Sequence, residues 1–330
     1  MKILVTGGLG VNGCWVTRDL LLMGHEPVVF DTRPDFTLLR DISSSFHFIQ
    51  GDITSLEELE IACKENKIDR ICHLAAIYPE AADSNPLAGF EINAKSTVNV
   101  LEAARRSGCD RVIFTSSIGA LSPITEPHLE PEMKPVDESF AAYPTSSVYG
   151  ATKVAGELMG IQYKRLFDLD FAALRFAAIY GIGKGVARHG SHNVIWNTLI
   201  ENAIAGRKTM IPQGGDQRLD FTYSRDVARS VVLACLADTF QGHIFHIGSG
   251  KEYTMNDFVK GLKSAIPSAE IEVGPGLDPR GFGPSSYFRM DTHRAYEQFG
   301  YEAIYDPESA VKDWLEWFER LELPLNQREE

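Results

Sequence analysis

Hydrophobic positions along the chain alternate between short continuous apolar runs and longer segments with helical periodicity. The continuous runs are typical of buried parallel strands, and they lie at 2–8, 26–31, 47–52, 70–76, 111–117, 170–181 and 242–250. Helical periodicity fills the segments between them, at 12–24, 55–66, 89–108 and 149–167. The pattern predicts an α/β fold with a doubly wound (Rossmann) parallel sheet, because right-handed crossovers cover both faces of a sheet with helices.

The regular alternation ends near residue 177, which predicts two regions. We expect residues 1–176 to form a Rossmann domain that also receives 219–248. Residues 177–218 and 249–330 then form a smaller C-terminal substrate-binding region.

Three segments interrupt this pattern. The stretch 121–140 contains four prolines and predicts a loop, and loops of that length are usually functional. The stretches 181–190 and 274–284 are rich in glycine and indicate a lid-like region.

Composition excludes several classes of protein. The net charge of -13 and the pI near 5.2 argue against a nucleic-acid partner. The longest apolar runs, such as 231–237, are too short to span a membrane. A strand beginning at residue 2 predicts that no signal peptide is present. The five cysteines are odd in number and lack metal-like spacing, so we expect reduced thiols, no metal site and a cytoplasmic protein.

A glycine-rich turn follows the first predicted strand and opens the first helix. The segment "TGGLGVNG" fits G-x-x-G-x-x-G at Gly7, Gly10 and Gly13, and it also fits G-x-G-x-x-G starting at Gly8. Glycines in this setting let backbone N–H groups and a helix N-terminus approach a pyrophosphate. Asp31 ends the second strand, where a carboxylate accepts hydrogen bonds from ribose hydroxyls. Together these features predict a dinucleotide site.

Asp31 also predicts which dinucleotide binds. A 2′-phosphate placed ~4 Å from this carboxylate would cost on the order of 4 kcal/mol per unit charge at an intermediate dielectric. The sequence therefore favours NAD over NADP, although Arg33 nearby is able to soften the preference.

Tyr149 and Lys153 lie four residues apart on one predicted helix, beside its apolar stripe. On its own this spacing fits either a solvated helix face or an acid/base pair. Other strand ends carry small or polar residues: Asp52 in "GDIT", "HLAA" at 73–76 and "TSSIGA" at 115–120.

These motifs together resemble the extended short-chain dehydrogenases/reductases, the NAD-dependent epimerase/dehydratase superfamily. The resemblance extends through "YGATK", "LRFAAIYG", "LDFTYSRDVA" and "FHIGSG". It implies that Tyr149 is the general acid/base, Lys153 its modulator and a ligand of the nicotinamide ribose, and Ser117 a hydrogen-bond partner of the substrate. We expect Lys153 and the nicotinamide ring to lower the pKa of Tyr149 from its usual ~10.

For NAD, the motifs and the resemblance imply contacts from a set of residues spread over the strand ends. This set comprises Gly7, Gly10, Val11, Asn12, Gly13, Asp31, Arg33, Asp52, Ile53, Leu74, Ala75, Ala76, Asn93, Ser116, Tyr149, Lys153, Phe176 and Ile179.

Departures from the family pattern bear on the reaction. Ala178 stands where sugar-nucleotide 4-epimerases and dehydratases usually carry asparagine, and Leu219 stands where they usually carry arginine. Arg218 lies one residue earlier, on the opposite side of a strand unless a bulge intervenes. Arg280 lies close to where those enzymes hold a diphosphate. "TSSIGA" lacks the Asp–Glu pair of dehydratases, which argues against dehydration.

A second likeness is to short-chain L-threonine dehydrogenases, carried by 116–123 and 149–175. The chain replaces their threonine-binding loop with 183–194 and keeps 211–223 closer to the sugar enzymes. We therefore expect an NAD-dependent oxidoreductase that oxidises a secondary alcohol of a small sugar, sugar acid or hydroxy acid. A sugar-nucleotide (UDP-sugar type) 4-epimerase is the alternative, and a non-enzymatic NAD-sensing protein is a third.

The expected substrate cleft combines the catalytic residues with cationic side chains. We assign Ser117, Tyr149, Arg188, His189, His192 and Arg280 to substrate binding, with 181–192 closing over the ligand. In relatives the helices equivalent to 89–106 and 149–167 pack across a dimer axis, so the resemblance implies a homodimer.

Overall fold

The structure, a computed structural model, describes residues 1–183 and 195–324. Its central sheet has seven parallel strands: β1 (Lys2–Thr6), β2 (Glu26–Asp31), β3 (His47–Gln50), β4 (Arg70–His73), β5 (Arg111–Ser117), β6 (Asp170–Phe176) and β11 (Ile244–Ile247). Their order across the sheet is β11-β6-β5-β4-β1-β2-β3. The order turns outward in both directions from β1 and β4, which confirms the doubly wound α/β prediction.

Helices lie over both faces of this sheet and in the C-terminal region. They are α1 (Gly13–Leu22), α2 (Leu56–Asn66), α3 (Pro79–Ser84), α4 (Pro86–Gly89), α5 (Ser96–Ser107), α6 (Val148–Phe167), α7 (Ile195–Ile204), α8 (Ser224–Leu236), α9 (Met255–Ala265), α10 (His293–Phe299) and α11 (Pro307–Arg320). Helices α1 and α8 pack together on one face, and α2, α5 and α6 pack on the other. Among the described helices, none combines the length and apolarity needed to cross a membrane.

The single helix predicted over 89–108 is interrupted. A π-helical segment, Phe90–Lys95, separates α4 from α5. The Thr97 hydroxyl donates to the Asn93 carbonyl oxygen at 2.7 Å, and the Ser96 hydroxyl donates to that of Ile92. Hydroxyl groups bonded to the preceding turn in this way compete with regular helix hydrogen bonds.

The strand predicted over 170–181 also divides. β6 ends at Phe176, and β7 (Ala178–Tyr180) leaves the main sheet to pair in parallel with β10 (Phe221–Tyr223). Two more small sheets complete the C-terminal region: β8 (Thr209–Ile211) with β13 (Ile271–Val273), and β9 (Arg218–Leu219) with β12 (Tyr253–Thr254).

The main sheet and the C-terminal region share one hydrophobic core. Tyr180 and Phe221 belong to the same buried cluster as Ile3 and Trp15. The chain returns to the main sheet through α8 and β11. The division at residue 176 therefore stays a prediction, since the packing on its two sides is continuous.

The proline-rich loop at 121–140 is anchored at its middle. Val136 forms a parallel bridge with Met290, and both are buried in a small cluster with Leu121 and Phe288. This contact holds the loop beside the C-terminal region, near the carboxyl edge of the sheet.

Candidate active site

The glycine-rich turn leaves no room for side chains. Gly7 has φ +69, and a Cβ atom there would lie 2.8 Å from the backbone nitrogen of Ala75. A Cβ atom on Gly13 would lie 2.1 Å from the carbonyl oxygen of Gly7, to which the N–H of Gly10 donates at 3.0 Å. The turn is therefore closed by backbone contacts, and it brings the N-terminus of α1 to the carboxyl edge of the sheet.

A cavity of about 500 Å³ lies over this turn. Twelve of the residues predicted to bind the cofactor line it: Gly7, Gly10, Val11, Asn12, Gly13, Asp31, Arg33, Asp52, Ile53, Leu74, Ala75 and Ala76. The structure thus brings these residues together from the ends of β1, β2, β3 and β4.

Two carboxylates, those of Asp31 and Asp52, line this cavity. Asp31 Oδ2 accepts the backbone N–H of Leu9 at 3.2 Å, which fixes the carboxylate beside the turn. Asp52 Oδ1 accepts the N–H of Thr54 at 2.8 Å, so Asp52 stabilises the turn after β3. Asp31 is half-buried at the end of β2. A carboxylate at this position is suited to accept hydrogen bonds from the two hydroxyls of a ribose.

The structure does not bring Asn93 into the lining of the cavity, so its contact with NAD stays a prediction. This side chain is 1% exposed and does not line the cavity. Its amide nitrogen donates to the carbonyl oxygen of Ile77 at 3.0 Å, and its amide oxygen accepts the Ile77 N–H at 2.8 Å. Asn93 therefore shapes the segment after "HLAA" from behind.

A second cavity, of about 290 Å³, holds the predicted catalytic residues. Its walls include Ser116, Ser117, Tyr149, Lys153, Phe176, Ile179 and Arg280. The two cavities share lining residues, including Asn12, Ala76 and Tyr78, so they form one cleft. Of the predicted substrate residues, Arg188, His189 and His192 lie outside the described residues.

Helix α6 places Tyr149 and Lys153 in its first two turns. The Ser147 hydroxyl caps the helix by accepting the Gly150 N–H at 2.9 Å, and Asp83 accepts the Tyr149 N–H at 3.1 Å. Lys153 is 3% exposed, and its Nζ donates to the carbonyl oxygen of Thr115 at 2.8 Å. The same Nζ lies 5.4 Å from the centre of the Tyr149 ring.

The described surroundings of Tyr149 raise its pKa, and the expected lowering by Lys153 together with bound NAD stays a prediction. Burial raises the pKa of Tyr149 above its usual value, and the Tyr78 phenol adds to this effect. The neighbour that lowers the Tyr149 pKa is the Ser117 hydroxyl, through a hydrogen bond. Burial also lowers the pKa of Lys153, to about 8. The described residues thus favour the neutral phenol, and a base at this position needs a further positive charge nearby.

Sequence reasoning missed two aromatic residues in the cleft. Tyr78 lines both cavities, and Trp196 lines the catalytic one. Tyr78 lies two residues after "HLAA", so its closeness to this cofactor motif could have indicated its place in the cleft. Trp196 belongs to α7, outside every motif, so its place in the cleft follows only from the fold.

Arg280 supplies a cation to the catalytic cavity. Its guanidinium carbon lies 5.7, 4.7 and 5.5 Å from the ring centres of Trp196, Phe282 and Tyr287. Its Nε is buried without a hydrogen-bond partner, and none of the described carboxylates forms an ion pair with Arg280. A guanidinium held by aromatic rings and lacking a carboxylate is suited to bind an anionic ligand.

Arg218 does not supply a second such cation. Its Nε and Nη2 donate to the carboxylate of Glu130, and its Nη1 donates to Glu252 at 3.0 Å. Leu219, at the usual arginine position, is 4% exposed. The guanidinium of Arg218 ties the loop 121–140 to β9, so its charge is already balanced.

Comparison with known proteins then decides the family. The sequence profile of the NAD dependent epimerase/dehydratase family matches residues 3–248. The chain belongs to this family. A putative UDP-glucose 4-epimerase of Methanocaldococcus jannaschii is 28% identical over 316 residues, covering 96% of this chain and 97% of that protein. The UDP-glucose 4-epimerase of Mycolicibacterium smegmatis is 29% identical, covering 96% and 98%.

Solved structures agree with this epimerase/dehydratase fold. The UDP-glucose 4-epimerase of Thermotoga maritima, solved with UDP-glucose, matches with a TM-score of 0.80, 24% identity and coverage of 97% and 99%. The L-threonine dehydrogenase of Clostridium difficile matches with a TM-score of 0.80, 24% identity and coverage of 97% and 98%. Both likenesses recognised in the sequence therefore share one fold.

Membership of the epimerase/dehydratase family identifies the protein as an NAD-dependent enzyme of the extended short-chain dehydrogenase/reductase type. The residues present fit NAD. The glycine turn forms a cradle that a Cβ atom at Gly7 or Gly13 would fill, and Asp31 stands at the end of β2 beside it. The expectations for family, fold, enzyme class and cofactor are confirmed.

Proposed function

We propose that this enzyme is a sugar-nucleotide 4-epimerase of the UDP-sugar type. Arg280 is the observation that carries the proposal, because it places a half-buried cation, without an ion pair to any described carboxylate, in the same cavity as Tyr149 and Lys153. A substrate with both a diphosphate and a secondary alcohol fits this cavity, because Arg280 can bind the diphosphate while Tyr149 acts on the alcohol. The named 4-epimerases similar over 96% of this chain support the same choice over the simple dehydrogenase.

The chain's residues divide the chemistry of alcohol oxidation among them. Tyr149 takes the proton of the substrate hydroxyl and later returns it to the same oxygen. Ser117 hydrogen-bonds to the Tyr149 phenol and so favours its ionised form. NAD, which the glycine turn, Asp31 and Lys153 would hold, would supply the hydride acceptor for oxidation of the carbinol carbon and the hydride donor for its reduction. Lys153 holds the nicotinamide ribose, and its ammonium adds positive charge beside Tyr149.

Inversion requires that the substrate be held by a group away from the reacting carbon. Arg280 provides such a point, since a diphosphate gripped there leaves the sugar free to turn between proton removal and proton return. Ala178, which lines the catalytic cavity, stands where 4-epimerases usually carry the larger asparagine. The smaller side chain leaves space for the sugar ring of the substrate to turn. The net reaction consumes no cofactor.

A second candidate is the oxidation of a small sugar, sugar acid or hydroxy acid with release of NADH. Two observations favour it. The guanidinium of Arg218 is neutralised by Glu130 and Glu252, and Leu219 offers no charge where relatives usually have arginine. Among the described residues that line the catalytic cavity, Arg280 is then the one arginine available to bind a diphosphate.

One assay separates the two candidates. The enzyme is incubated with NAD and either UDP-glucose or UDP-galactose, and with a panel of free sugars, uronates and hydroxy acids. Proton NMR follows the C4 configuration while absorbance follows NADH. Interconversion of the UDP-sugars without net NADH supports the epimerase, whereas NADH formed in proportion to a small substrate supports the dehydrogenase. Inactivity on UDP-sugars together with oxidation of a small substrate would overturn the first proposal.

A further inference from the structure

A buried carboxylate lies one helical turn after Lys153 on α6. Glu157 is 2% exposed and Lys153 is 3% exposed. Both acceptor oxygens of Glu157 are occupied by groups from the neighbouring strands. Oε1 accepts the Ser116 hydroxyl at 2.6 Å and Arg175 Nε at 2.8 Å, and Oε2 accepts Arg175 Nη2 at 2.7 Å. Ser116 therefore turns its hydroxyl away from the cofactor cleft that it lines.

Lys153 does not bind this carboxylate. Its Nζ donates instead to the carbonyl oxygen of Thr115, at the edge of the cleft. The other groups around Nζ are the Phe114 ring, with its centre 5.0 Å away, and the Tyr149 ring. His73 on β4 is close enough for the charge of Lys153 to lower the His73 pKa. The ammonium is thus held at the cleft wall and away from Glu157.

Burial at this position works against the charge of Lys153. It lowers the Lys153 pKa to about 8, and Glu157 is the neighbour that opposes the shift. A free carboxylate four residues along a helix would form a direct ion pair with a lysine and draw the ammonium out of the cleft. The bidentate contact from Arg175, together with Ser116, prevents this by using both carboxylate oxygens.

We propose that Glu157 is a positioning residue for Lys153, and that Arg175 and Ser116 occupy its carboxylate so that it keeps the ammonium charged without capturing it. The inference rests on the role of Lys153 toward the cofactor given under the proposed function. Glu157 touches neither cofactor nor substrate. Its effect reaches the reaction through the charge and the place of Lys153.

The test measures NAD affinity against pH, with the full-length protein stripped of bound nucleotide. Titration calorimetry from pH 6 to pH 10 gives the Kd. Because the ammonium is the form that donates to the ribose, the Kd should stay constant below the Lys153 pKa and rise about tenfold per pH unit above it. Of the facing groups, His73 stays outside this window, because burial lowers its pKa to about 3. Burial raises the pKa of Tyr149, and the same titration in a Tyr149→Phe background removes the phenol whose pKa bound NAD would lower.

Two variants should move the pH at which the Kd begins to rise, here called the break, in opposite directions. Glu157→Gln removes the negative charge, so the Kd should begin to rise at a pH lower by about one unit. Arg175→Met frees the carboxylate to capture Lys153, so the break should move to higher pH while the Kd at pH 6 is already weaker. Glu102→Gln is the matched control: it breaks ion pairs with Arg105 and Arg106 on α5, and the break should stay in place.

The outcomes separate this inference from the proposed function. A break at the same pH in both folded variants would overturn the role of Glu157, because a merely structural pair leaves the titration of Lys153 unchanged. If the Kd of the wild type shows no break, the charge of Lys153 does not contribute to cofactor binding. That result would overturn both the role given to Lys153 under the proposed function and the role of Glu157. If Glu157→Gln does not fold, Arg175→Met and the milder Ser116→Ala carry the test, with a smaller upward shift expected for Ser116→Ala.

Discussion

The Nδ1 atom of His246 lies 3.0 Å from the carbonyl oxygen of Val136, so a strand of the main sheet is joined to the proline-rich loop through a buried imidazole. Burial, with a contribution from the Arg175 guanidinium, lowers the pKa of His246 to about 3. In the unfolded chain His246 takes up a proton near pH 6.5, whereas in the folded protein it stays neutral at that pH. Stability linked to this residue is therefore complete above about pH 6.5 and is lost as the pH falls toward 3.

His246→Asn should remove this pH dependence while keeping a donor for Val136. Between pH 7 and pH 5 the variant should lose about 2 kcal/mol less unfolding free energy than the wild type. Urea unfolding at pH 7, 6 and 5 measures the difference, and His47→Asn, at an exposed histidine, serves as control. A constant difference between the two proteins across these pH values would show that His246 takes up a proton in the fold as readily as in the unfolded chain, which contradicts the lowered pKa.

Tyr149→Phe tests the acid/base assignment. Loss of the phenolic hydroxyl should lower kcat by about 10²–10⁴-fold, the usual range for a general acid/base, while the Kd for NAD stays nearly unchanged. Tyr143→Phe, at a side chain 78% exposed, should leave both unaffected. A comparable loss of NAD affinity in Tyr149→Phe would mean that the phenol has a structural role.

Asp31→Ala tests the choice of cofactor. The variant should bind NAD more weakly and lose its discrimination against NADP, which the charge argument places at about a thousandfold. Calorimetric Kd values for both dinucleotides give the ratio. Asp52→Ala alters a second carboxylate of the same cavity and should leave that ratio unchanged. A wild type that already prefers NADP would contradict the account of Asp31.

Arg280→Ala distinguishes the two candidate functions. If Arg280 grips a diphosphate, the variant should lose roughly 1.5–3 kcal/mol of UDP-sugar binding and nearly all epimerisation. If the substrate is a small neutral sugar, KM should change only modestly. Steady-state kinetics on both substrate classes measures this, and Arg289→Ala, at a residue outside the catalytic cavity, controls for loss of charge. Unchanged kinetics on every substrate would exclude Arg280 from the site.

The parts of this site that the sequence predicts are the ones carried by local spacing. The turn at Gly7, the position of Asp31 at a strand end and the Tyr149–Lys153 spacing each depend on a few consecutive residues. The packing of Asn93 and Ser116 does not follow from such spacing, because their partners, Ile77 and Glu157, lie 16 and 41 residues away in the sequence.

Long-range pairing explains the remaining differences in the same way. Arg218 meets Glu130 across 88 residues, a contact that no local pattern encodes. The apolar run 170–181 is continuous in hydrophobicity, and its division after Phe176 depends on which strand pairs with each half. Periodicity predicts that a segment is buried, and the partner decides which sheet it joins.

The pairing of β11 with β6 has a consequence for the nascent chain. β6 is complete at Phe176, but its outer edge is covered only when Ile244–Ile247 arrives. Until then the ribosome-bound chain presents an unpaired apolar edge, the kind of surface on which strands of different molecules associate. We therefore expect a fragment ending at residue 176 to precipitate and one ending at residue 248 to sediment as a smaller species, so that chaperone demand during translation falls once β11 has emerged.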